Sequence, residues 1–541
     1  MSDTLEKRSM DDIATLQSPV VKDPEAAILK NVLPGPPPFR WSSLWQPAQI
    51  NPLNGKSYTL PIFRLTDQYA INFHLAWLGF FVAFLSWFAF PPLIPEAIKK
   101  DLNLTTAQIG NSNIIALLAT LVMRFAIGPF VDRFGPRYTL AGILVVGAIP
   151  SGLAGTISSA SGLYAIRFFI GILGATFVPC IAWSTLFFDK SIVGAANAFV
   201  GGWGVVSGVT FVVQVAVFQS LVDARGLSPH SAWRAAFAVV PVPILLFIAL
   251  LTLTIGTDCP AGKWSARHTL PATAAAARLG HIAKLDPAER AVYTRKANEK
   301  QTGTTHVTPV EENEEEDVAQ LATVQLDVAV NEPLTLKKLA EILTTASTWL
   351  PSLMYMTTFG FELCVDANLV NVLVANNKLT QLNAGYLAST FGFMNIVTRP
   401  SGGFIGDWLY KRYGVKGKKY ITVVLGFLQG AMSLAFGLYS HAKYSQGQRP
   451  SVGITMLLMV LMGIFCEVAN GTNFSLVPHC NPFSGGTVTG LTGGLGNFGG
   501  IVYAIMFRYL PKQGYTNAWI ASGAFAMGIN LFCVILPLPK E

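Results

Sequence analysis

Twelve apolar stretches recur along this chain of 541 residues. Each is about 20 residues long, the length that an α-helix needs to cross the hydrocarbon core of a bilayer. A backbone in hydrocarbon must satisfy its own hydrogen bonds, which favours helices. Only 13% of the residues are charged, against roughly a quarter in soluble domains. The sequence therefore predicts an all-α membrane protein with twelve transmembrane helices, at 71–95, 107–131, 139–158, 162–187, 192–221, 232–256, 347–371, 382–406, 420–440, 452–477, 484–507 and 516–537.

A long polar linker divides these twelve segments into six and six. Its first part is basic, and residues 311–317 form an acidic block that should repel itself and stay solvated. We interpret the linker as a tether, with a regulatory role as the alternative. The predicted organisation is a tail at 1–70, a six-helix bundle at 71–256, the linker at 257–345, a second bundle at 346–537 and a short tail at 538–541.

The basic residues of the short loops predict the orientation in the membrane. The loops after the second and eighth helices are basic, whereas the loop around residues 158–162 contains no lysine or arginine. Because basic loops stay on the cytoplasmic side, both termini and the linker are predicted to be cytoplasmic. The net charge of +8 is thus explained by topology and does not indicate nucleic acid as a partner.

Two patterns repeat between the halves. Arg124-x-x-x-Gly128-x-x-x-Asp132 recurs 275 residues later as Arg399-x-x-x-Gly403-x-x-x-Asp407. A glycine-rich run in the fifth segment, from 194 to 208, matches one in the eleventh, from 486 to 500. Matching places in each half predict two pseudo-symmetric six-helix bundles with a substrate site at their interface.

The two arginines lie in the middle of apolar segments. A guanidinium in hydrocarbon costs at least a few kcal/mol, so it is rare without a partner or a function. Two such groups at matching positions indicate a transporter that carries a small anion between its halves. The alternative is that each arginine is paired with a buried acid or carbonyl for structural reasons.

Several segments resemble a known family. Residues 128–137 are similar to the cytoplasmic loop motif of the major facilitator superfamily, and Arg167-Phe-Phe-Ile-Gly-Ile-Leu-Gly174 resembles its helix-4 motif. Gly-Gly-Leu-Gly-Asn-Phe-Gly-Gly, at 493–500, resembles the nitrate signature of the nitrate/nitrite porters. The segments 112–120, 187–194 and 395–400 are similar to that family's eukaryotic branch, and the long linker resembles its fungal-type high-affinity nitrate transporters.

This resemblance implies the major facilitator fold and a set of site residues. Arg124 and Arg399 fall on the substrate-binding arginines, and Asn497 would donate its amide to the anion. Tyr355 and Phe359, four residues apart on one helical face, and more weakly Phe177 would flank the substrate, although packing alone is the alternative for such aromatics. The chain departs from the family at Val205, where asparagine is usual, and at Ser207, where glycine is usual.

Further residues are assigned to gating and to coupling. We expect a gate formed by pairing across cytoplasmic helix ends, which involves Asp132, Arg133, Arg137, Asp407 and Arg412. Uptake of an anion into a negative cell needs an energy source, and the resemblance implies proton symport. Candidate titrating groups within apolar segments are Glu362, Asp366 and Glu467, each of which could instead be structural, and nitrate/nitrite exchange is the alternative mode.

The sequence-based hypothesis is therefore a plasma-membrane nitrate/nitrite permease that works by alternating access, with nitrate or nitrite, protons and lipid as partners. The alternatives are a porter of the same fold for another small anion, or a nitrate-binding sensor that signals through the linker. An enzyme is not predicted, because the sequence shows no Ser/His/Asp grouping, metal-ligand spacing or phosphate loop. No cofactor or metal is expected, and the oligomeric state is left open.

Overall fold

The computed structural model describes residues 37–51, 55–265, 340, 342–379, 381–480, 485–510 and 513–538. The acidic block at 311–317 and most of the predicted linker lie outside these residues. All the long helices belong to one compact unit, formed by 41–275 and 307–541.

The first half contains six membrane-length helical segments. They are α1 (Gln68–Trp87), α2 (Thr106–Phe134), α3 (Pro136–Gly152), α4 (Ala160–Phe187), α5 (Val193–Asp223) and α6 (Pro229–Ile255). A capping box formed by Thr105 and Gln108 begins α2 and satisfies two backbone donors at that end. The turn into α3 is made at Gly135, whose φ of 86° lies in the region that favours glycine.

The second half contains the other six. They are α7 (Ala346–Asn377), α8 (381–413), α9 (415–445), α10 (Val452–Cys480), α11 (Gly485–Tyr509) and α12 (Thr516–Ile535). In the described part of the chain, eleven helices are long and apolar enough to span a membrane. The longest of them contains α8 and α9, which are separated by the non-helical backbone of Gly414 (φ 61°, ψ −156°). The predicted fold class, with its twelve crossings, is confirmed.

The predicted loop between α8 and α9 is largely helical. The sequence placed a basic loop at 407–419, but helical backbone continues up to Gly414 and resumes directly after it. Charged residues are good helix formers, so their polarity marks the end of the apolar span and not the end of the helix. The segment predicted as a short basic loop is therefore helical except at Gly414.

Three predicted helices are interrupted in their interiors. In α4, residues Gly171–Thr176 form a 3-10 turn. In α5, the helix stops at Gly204 and resumes at Ser207, after a run of glycines that are poor helix formers. In α6, Pro241 begins a second helical stretch, because proline cannot donate the backbone hydrogen bond that a continuous helix needs.

Parts of the predicted tail and linker pack against the first half. Ser57 pairs with the chain between α4 and α5, donating to the Phe187 carbonyl at 2.8 Å and accepting from the Asp189 amide at 3.0 Å. Beyond α6, Asp258 accepts a hydrogen bond from the Trp264 amide at 3.0 Å. The residues next to the first bundle therefore belong to its packed structure.

Candidate functional site

The two repeat arginines are buried where the halves meet. Arg124 on α2 is 0% exposed, and Arg399 on α8 is 2% exposed. Nη1 of Arg124 donates to the Gly493 carbonyl at 2.7 Å, and Nη1 of Arg399 donates to the Gly201 carbonyl at 3.1 Å. Gly201 and Gly493 occupy matching positions in the two glycine runs. Each arginine thus reaches across the interface to the same position of the opposite half.

An aromatic ring contacts both guanidinium groups. The centroid of the Phe359 ring lies 5.2 Å from Cζ of Arg124 and 5.7 Å from Cζ of Arg399. Tyr355 stacks on Phe359 with 4.8 Å between centroids and 2° between ring planes. The Phe177 centroid lies 4.7 Å from Cζ of Arg124. The structure therefore brings the predicted Tyr355, Phe359 and Phe177 together beside the arginines.

Phe474 completes this aromatic cluster, although the sequence analysis did not assign it. Its ring packs edge-on against Phe177 at 4.8 Å and against Tyr355 at 4.7 Å. It lies on α10, in a long apolar segment whose other residues gave no reason to single it out. Phe474 joins the cluster because α10 packs against α4 and α7, and the hydropathy of the sequence does not predict which helices pack together.

Several polar atoms of this cluster have no hydrogen-bond partner among the described residues. They are Nη2 of Arg124, Nε of Arg399 and the hydroxyl of Tyr355. Buried donors are almost always paired in proteins, so an unpaired buried donor indicates a functional role or a bound water or ion. The unpaired donors thus belong to α2, α7 and α8, and all three are of the kind that an anion with several acceptor oxygens accepts from.

The glycines of α11 leave room for the cluster. A Cβ atom on Gly493 would lie 3.0 Å from the Phe177 ring and 3.2 Å from Nη1 of Arg124. A Cβ atom on Gly496 would lie 2.7 Å from the Tyr355 ring. Asn497 is buried on the same helix, and its amide donates to the Gly493 carbonyl at 3.0 Å. Close helix packing and the arginine site therefore depend on the same glycines.

The two arginines differ in their carboxylate partners. Nη2 of Arg399 donates to Oε2 of Glu362, and this carboxylate also accepts from Asn395 at 2.8 Å and Asn470 at 2.7 Å. Within the described ranges, Arg124 pairs with no carboxylate; its Nε donates to the Gly174 carbonyl at 2.9 Å. The structural alternative, pairing with a buried acid or carbonyl, is thus present at both arginines. Arg399 pairs with Glu362, whereas Arg124 donates only to carbonyls, so no described carboxylate compensates its charge.

The other two predicted coupling acids are buried and only partly satisfied. Oδ1 of Asp366 accepts from the Ser207 hydroxyl at 3.2 Å, and Oε2 of Glu467 accepts from the Thr398 hydroxyl. The second oxygens, Oδ2 of Asp366 and Oε1 of Glu467, have no partner within the described structure. Both side chains therefore differ from Glu362, whose two oxygens are bonded.

Two of the predicted gate residues connect the halves. Oδ2 of Asp132 accepts from the Thr487 hydroxyl on α11 at 2.9 Å. Oδ2 of Asp407 accepts from the Ala195 amide on α5 at 2.7 Å. Ala195 and Thr487 again hold matching positions in the repeat. Both contacts lie at the end of the bundle that carries the predicted cytoplasmic loops.

The three predicted gate arginines make contacts within their own halves. Arg137 donates to the Thr252 carbonyl at 3.2 Å and pairs with Asp258 at 3.5 Å. Arg133 and Arg412 lie over the neighbouring rings of Phe134 and Trp408, with 5.2 and 4.9 Å between Cζ and ring centroid. Their assignment to pairing across the halves stays a prediction.

Comparisons with known proteins agree with this architecture. The Major Facilitator Superfamily model matches residues 76–504. The fold is similar to the proton:xylose symporter XylE, with 14% identity, a TM-score of 0.57 and coverage of 87% of this chain and 96% of that one. At this identity the structural match establishes the fold alone.

Sequence relatives narrow the family. The chain is 30% identical to Nitrate transporter 2.2 of Chlamydomonas reinhardtii over 455 residues. This alignment covers 84% of this chain and 76% of the relative. It is 28% identical to High-affinity nitrate transporter 2.3 of Oryza sativa subsp. japonica, with coverage of 88% and 78%. It is also 28% identical to the Nitrate/nitrite transporter NrtP of Nostoc punctiforme, with coverage of 82% and 88%. The fungal-type assignment stays a prediction, but the chain belongs to the nitrate transporter family of the major facilitator superfamily, a class of membrane transporters and not of enzymes.

Proposed function

We propose that this protein carries nitrate or nitrite across the plasma membrane by alternating access, with both termini in the cytoplasm. The observation that carries the proposal is the position of the Phe359 ring against Arg124 and Arg399, two guanidiniums that come from opposite halves. The names of the sequence relatives support nitrate as the substrate.

The chemistry of the cluster suits a planar monovalent oxyanion. Nitrate offers three acceptor oxygens in a plane, and the planar fork of an arginine matches such a group better than a point charge does. The unpaired donors on Arg124, Arg399 and Tyr355 would bind its oxygens, while the rings of Tyr355, Phe359 and Phe177 flank it.

Charge balance also favours a single negative charge. Glu362 compensates Arg399, so the pair of arginines carries one uncompensated positive charge, on Arg124. A monovalent anion would neutralise the site. A divalent anion would leave an unpaired negative charge in a region of low dielectric constant, which is costly.

Alternating access requires contacts that open in turn at the two ends of the bundle. At one end, Asp132 and Asp407 connect the halves through Thr487 and Ala195. At the other end, Arg508 on α11 donates to the Ala107 carbonyl at the start of α2 at 2.8 Å. We propose that these two sets of contacts break alternately as the halves rock about the buried arginines.

Proton symport would supply the energy for uptake, since each charge moved against the membrane potential costs about 2.3 kcal/mol per 100 mV. Asp366 and Glu467 are better coupling candidates than Glu362, because each has an oxygen without a partner among the residues that the structure describes. Both oxygens of Glu362 are bonded, and one of them forms a salt bridge with Arg399. A proton on Asp366 or Glu467 would remove an unpaired buried charge.

The test is nitrate uptake into proteoliposomes of the purified protein, with and without an inward proton gradient. Arg124→Lys and Arg399→Lys keep the charge but lose the planar fork, and Arg225→Lys, on an exposed loop residue, is the control. We expect gradient-driven uptake that both site variants reduce at least tenfold and the control leaves unchanged.

Other results would redirect the proposal. Uptake that ignores the gradient would indicate exchange, and normal uptake by both lysine variants would contradict the arginine clamp. Nitrate binding without flux by folded protein would favour a sensor.

A further inference from the structure

A third buried arginine, Arg167, shares the main features of Arg124. It lies on α4 and is 3% exposed. Its Nη1 donates to Oγ of Ser112 at 2.9 Å and to Oδ1 of Asn113 at 2.5 Å. Both acceptors are neutral, and Arg167 forms no ion pair with any described carboxylate. Its positive charge is therefore uncompensated inside an apolar segment.

Other buried cations of the described chain are compensated. Arg399 pairs with Glu362, and Lys418 pairs with Asp407 at 3.1 Å. Lys419 donates to the carbonyls of Val534 and Leu536, at the end of α12, where the helix dipole is negative.

Arg124 and Arg167 are thus the buried cations of the described chain that have neither an acid nor a helix end beside them. Each instead has an aromatic ring nearby. The distance from Cζ to the ring centroid is 4.7 Å between Arg124 and Phe177 and 5.6 Å between Arg167 and Phe90.

Arg167 and its neighbour Asn113 both have N–H groups that donate no hydrogen bond to a described residue. The hydrogen bonds to Ser112 and Asn113 both come from Nη1, and the N–H groups of Nε and Nη2 have no acceptor within the part of the chain that the structure describes. Because Oδ1 of Asn113 is the accepting atom, the amide nitrogen of that side chain also remains available to donate. Asn113 is half-buried, so these donors converge at the edge of the buried region.

The position of this cluster relates it to the arginine site. Along α2, the side chains that hydrogen-bond with α4 are Ser112 and Asn113, then Thr120, which donates to the Gly171 carbonyl at 2.8 Å, then Arg124, which donates to the Gly174 carbonyl. The helix rises about 16 Å between residues 113 and 124. Arg167 therefore lies on the side of Arg124 remote from Asp132, which is the predicted extracellular side.

We propose that Arg167 and Asn113 form a second binding station for a monovalent oxyanion, which the ion occupies before it reaches Arg124. The inference rests on the proposed function, since nitrate is the anion expected there. Arg508, on α11 beside Ala107, places a further positive charge at the outer end of the same row. Successive positive charges along a row raise the local concentration of an anion and its rate of entry.

The test compares Arg167→Gln and Arg167→Lys with Arg225→Gln, which removes an exposed charge from a loop. In proteoliposome uptake, we expect Arg167→Gln to raise the KM for nitrate at least tenfold with Vmax changed less than twofold. Arg167→Lys should give an intermediate KM. If Arg167 only holds α2 and α4 together, Arg167→Gln should instead lower Tm and Vmax and leave KM unchanged. That result would contradict the proposed second binding station.

Equilibrium binding of radiolabelled nitrate separates this proposal from the central site. Arg124→Gln protein should retain weak binding that the Arg124→Gln/Arg167→Gln double variant loses. Equal binding by these two variants would overturn the station alone. Absence of binding by the unsubstituted protein would overturn the proposed substrate as well.

Discussion

The hydroxyl of Ser207 in the first half donates to Oδ1 of Asp366 in the second half at 3.2 Å. Ser207 begins the second part of α5, directly after the interruption at residues 205–206. It is one of the two positions at which the resemblance described above led us to expect a different residue. Its hydroxyl makes a polar contact between the halves and connects it to a buried carboxyl group.

Replacement of Ser207 by glycine should remove this contact. Asp366 would then lose the hydrogen bond to Oδ1 in addition to the unpaired Oδ2, so neither oxygen of this buried side chain would have a described partner, which is costly. We expect nitrate uptake driven by the proton gradient to fall at least threefold, because the carboxyl group would lose a contact that holds it between the halves. The control is Ser401→Ala, whose hydroxyl bonds its own helix, at the Val397 carbonyl. Unchanged uptake would show that Ser207 does not influence coupling.

Asp366→Asn tests the coupling carboxyl directly. The amide keeps the size of the side chain and can still accept from Ser207, but it cannot release a proton. If Asp366 carries the coupled proton, nitrate uptake driven by the proton gradient should fall at least tenfold, while nitrate binding at equilibrium changes less than threefold. Uptake that keeps its gradient dependence would move the coupling role to Glu467, to be tested in the same way by Glu467→Gln.

Gly493→Ala should disturb the arginine site through sterics alone. The added methyl group would lie 3.0 Å from Phe177 and 3.2 Å from Nη1 of Arg124, so both side chains would have to move. We expect the KM for nitrate to rise at least fivefold in uptake assays. Gly528→Ala on α12 is the matched control, because its Cβ would have no neighbour within 4 Å. Equal kinetics of both variants would contradict a site beside Gly493.

The number and order of the helices could be predicted from the sequence, because hydropathy and repeats are patterns that the sequence shows directly. Segment lengths gave twelve crossings, and the repeat placed Arg124 and Arg399 in corresponding helices. What the sequence could not supply was the pairing between distant segments. Glu362 and Arg399 are 37 positions apart, and no spacing rule connects them. The interruption of α5 was also missed, since Val205 and Val206 are as apolar as the helix around them.

Glu362→Gln should unbalance the charge of the site. Arg399 would lose its ion pair, and removal of one partner of a buried pair costs about 3–5 kcal/mol. We therefore expect a lower Tm for the purified protein without substrate. Saturating nitrate should raise the Tm of the variant more than that of the unsubstituted protein, because the bound anion would be attracted by two uncompensated positive charges and not by one. An equal or smaller shift would contradict a site in which Glu362 sets the charge.

The contact at the predicted cytoplasmic end can be tested through Lys418. This side chain belongs to the basic loop predicted between the eighth and ninth helices. It is 0% exposed, and its Nζ donates to Asp407 at 3.1 Å and to the Ser475 carbonyl at 3.0 Å. Asp407 in turn accepts from the Ala195 amide of the first half.

Lys418→Met keeps the volume but leaves Asp407 charged and unpaired, so we expect Vmax to fall at least fivefold with little change in KM. Asp407→Asn in the same chain removes the stranded charge and should restore part of Vmax, which a double-mutant cycle would measure as coupling. Additive losses in the double variant would show that Lys418 and Asp407 act independently.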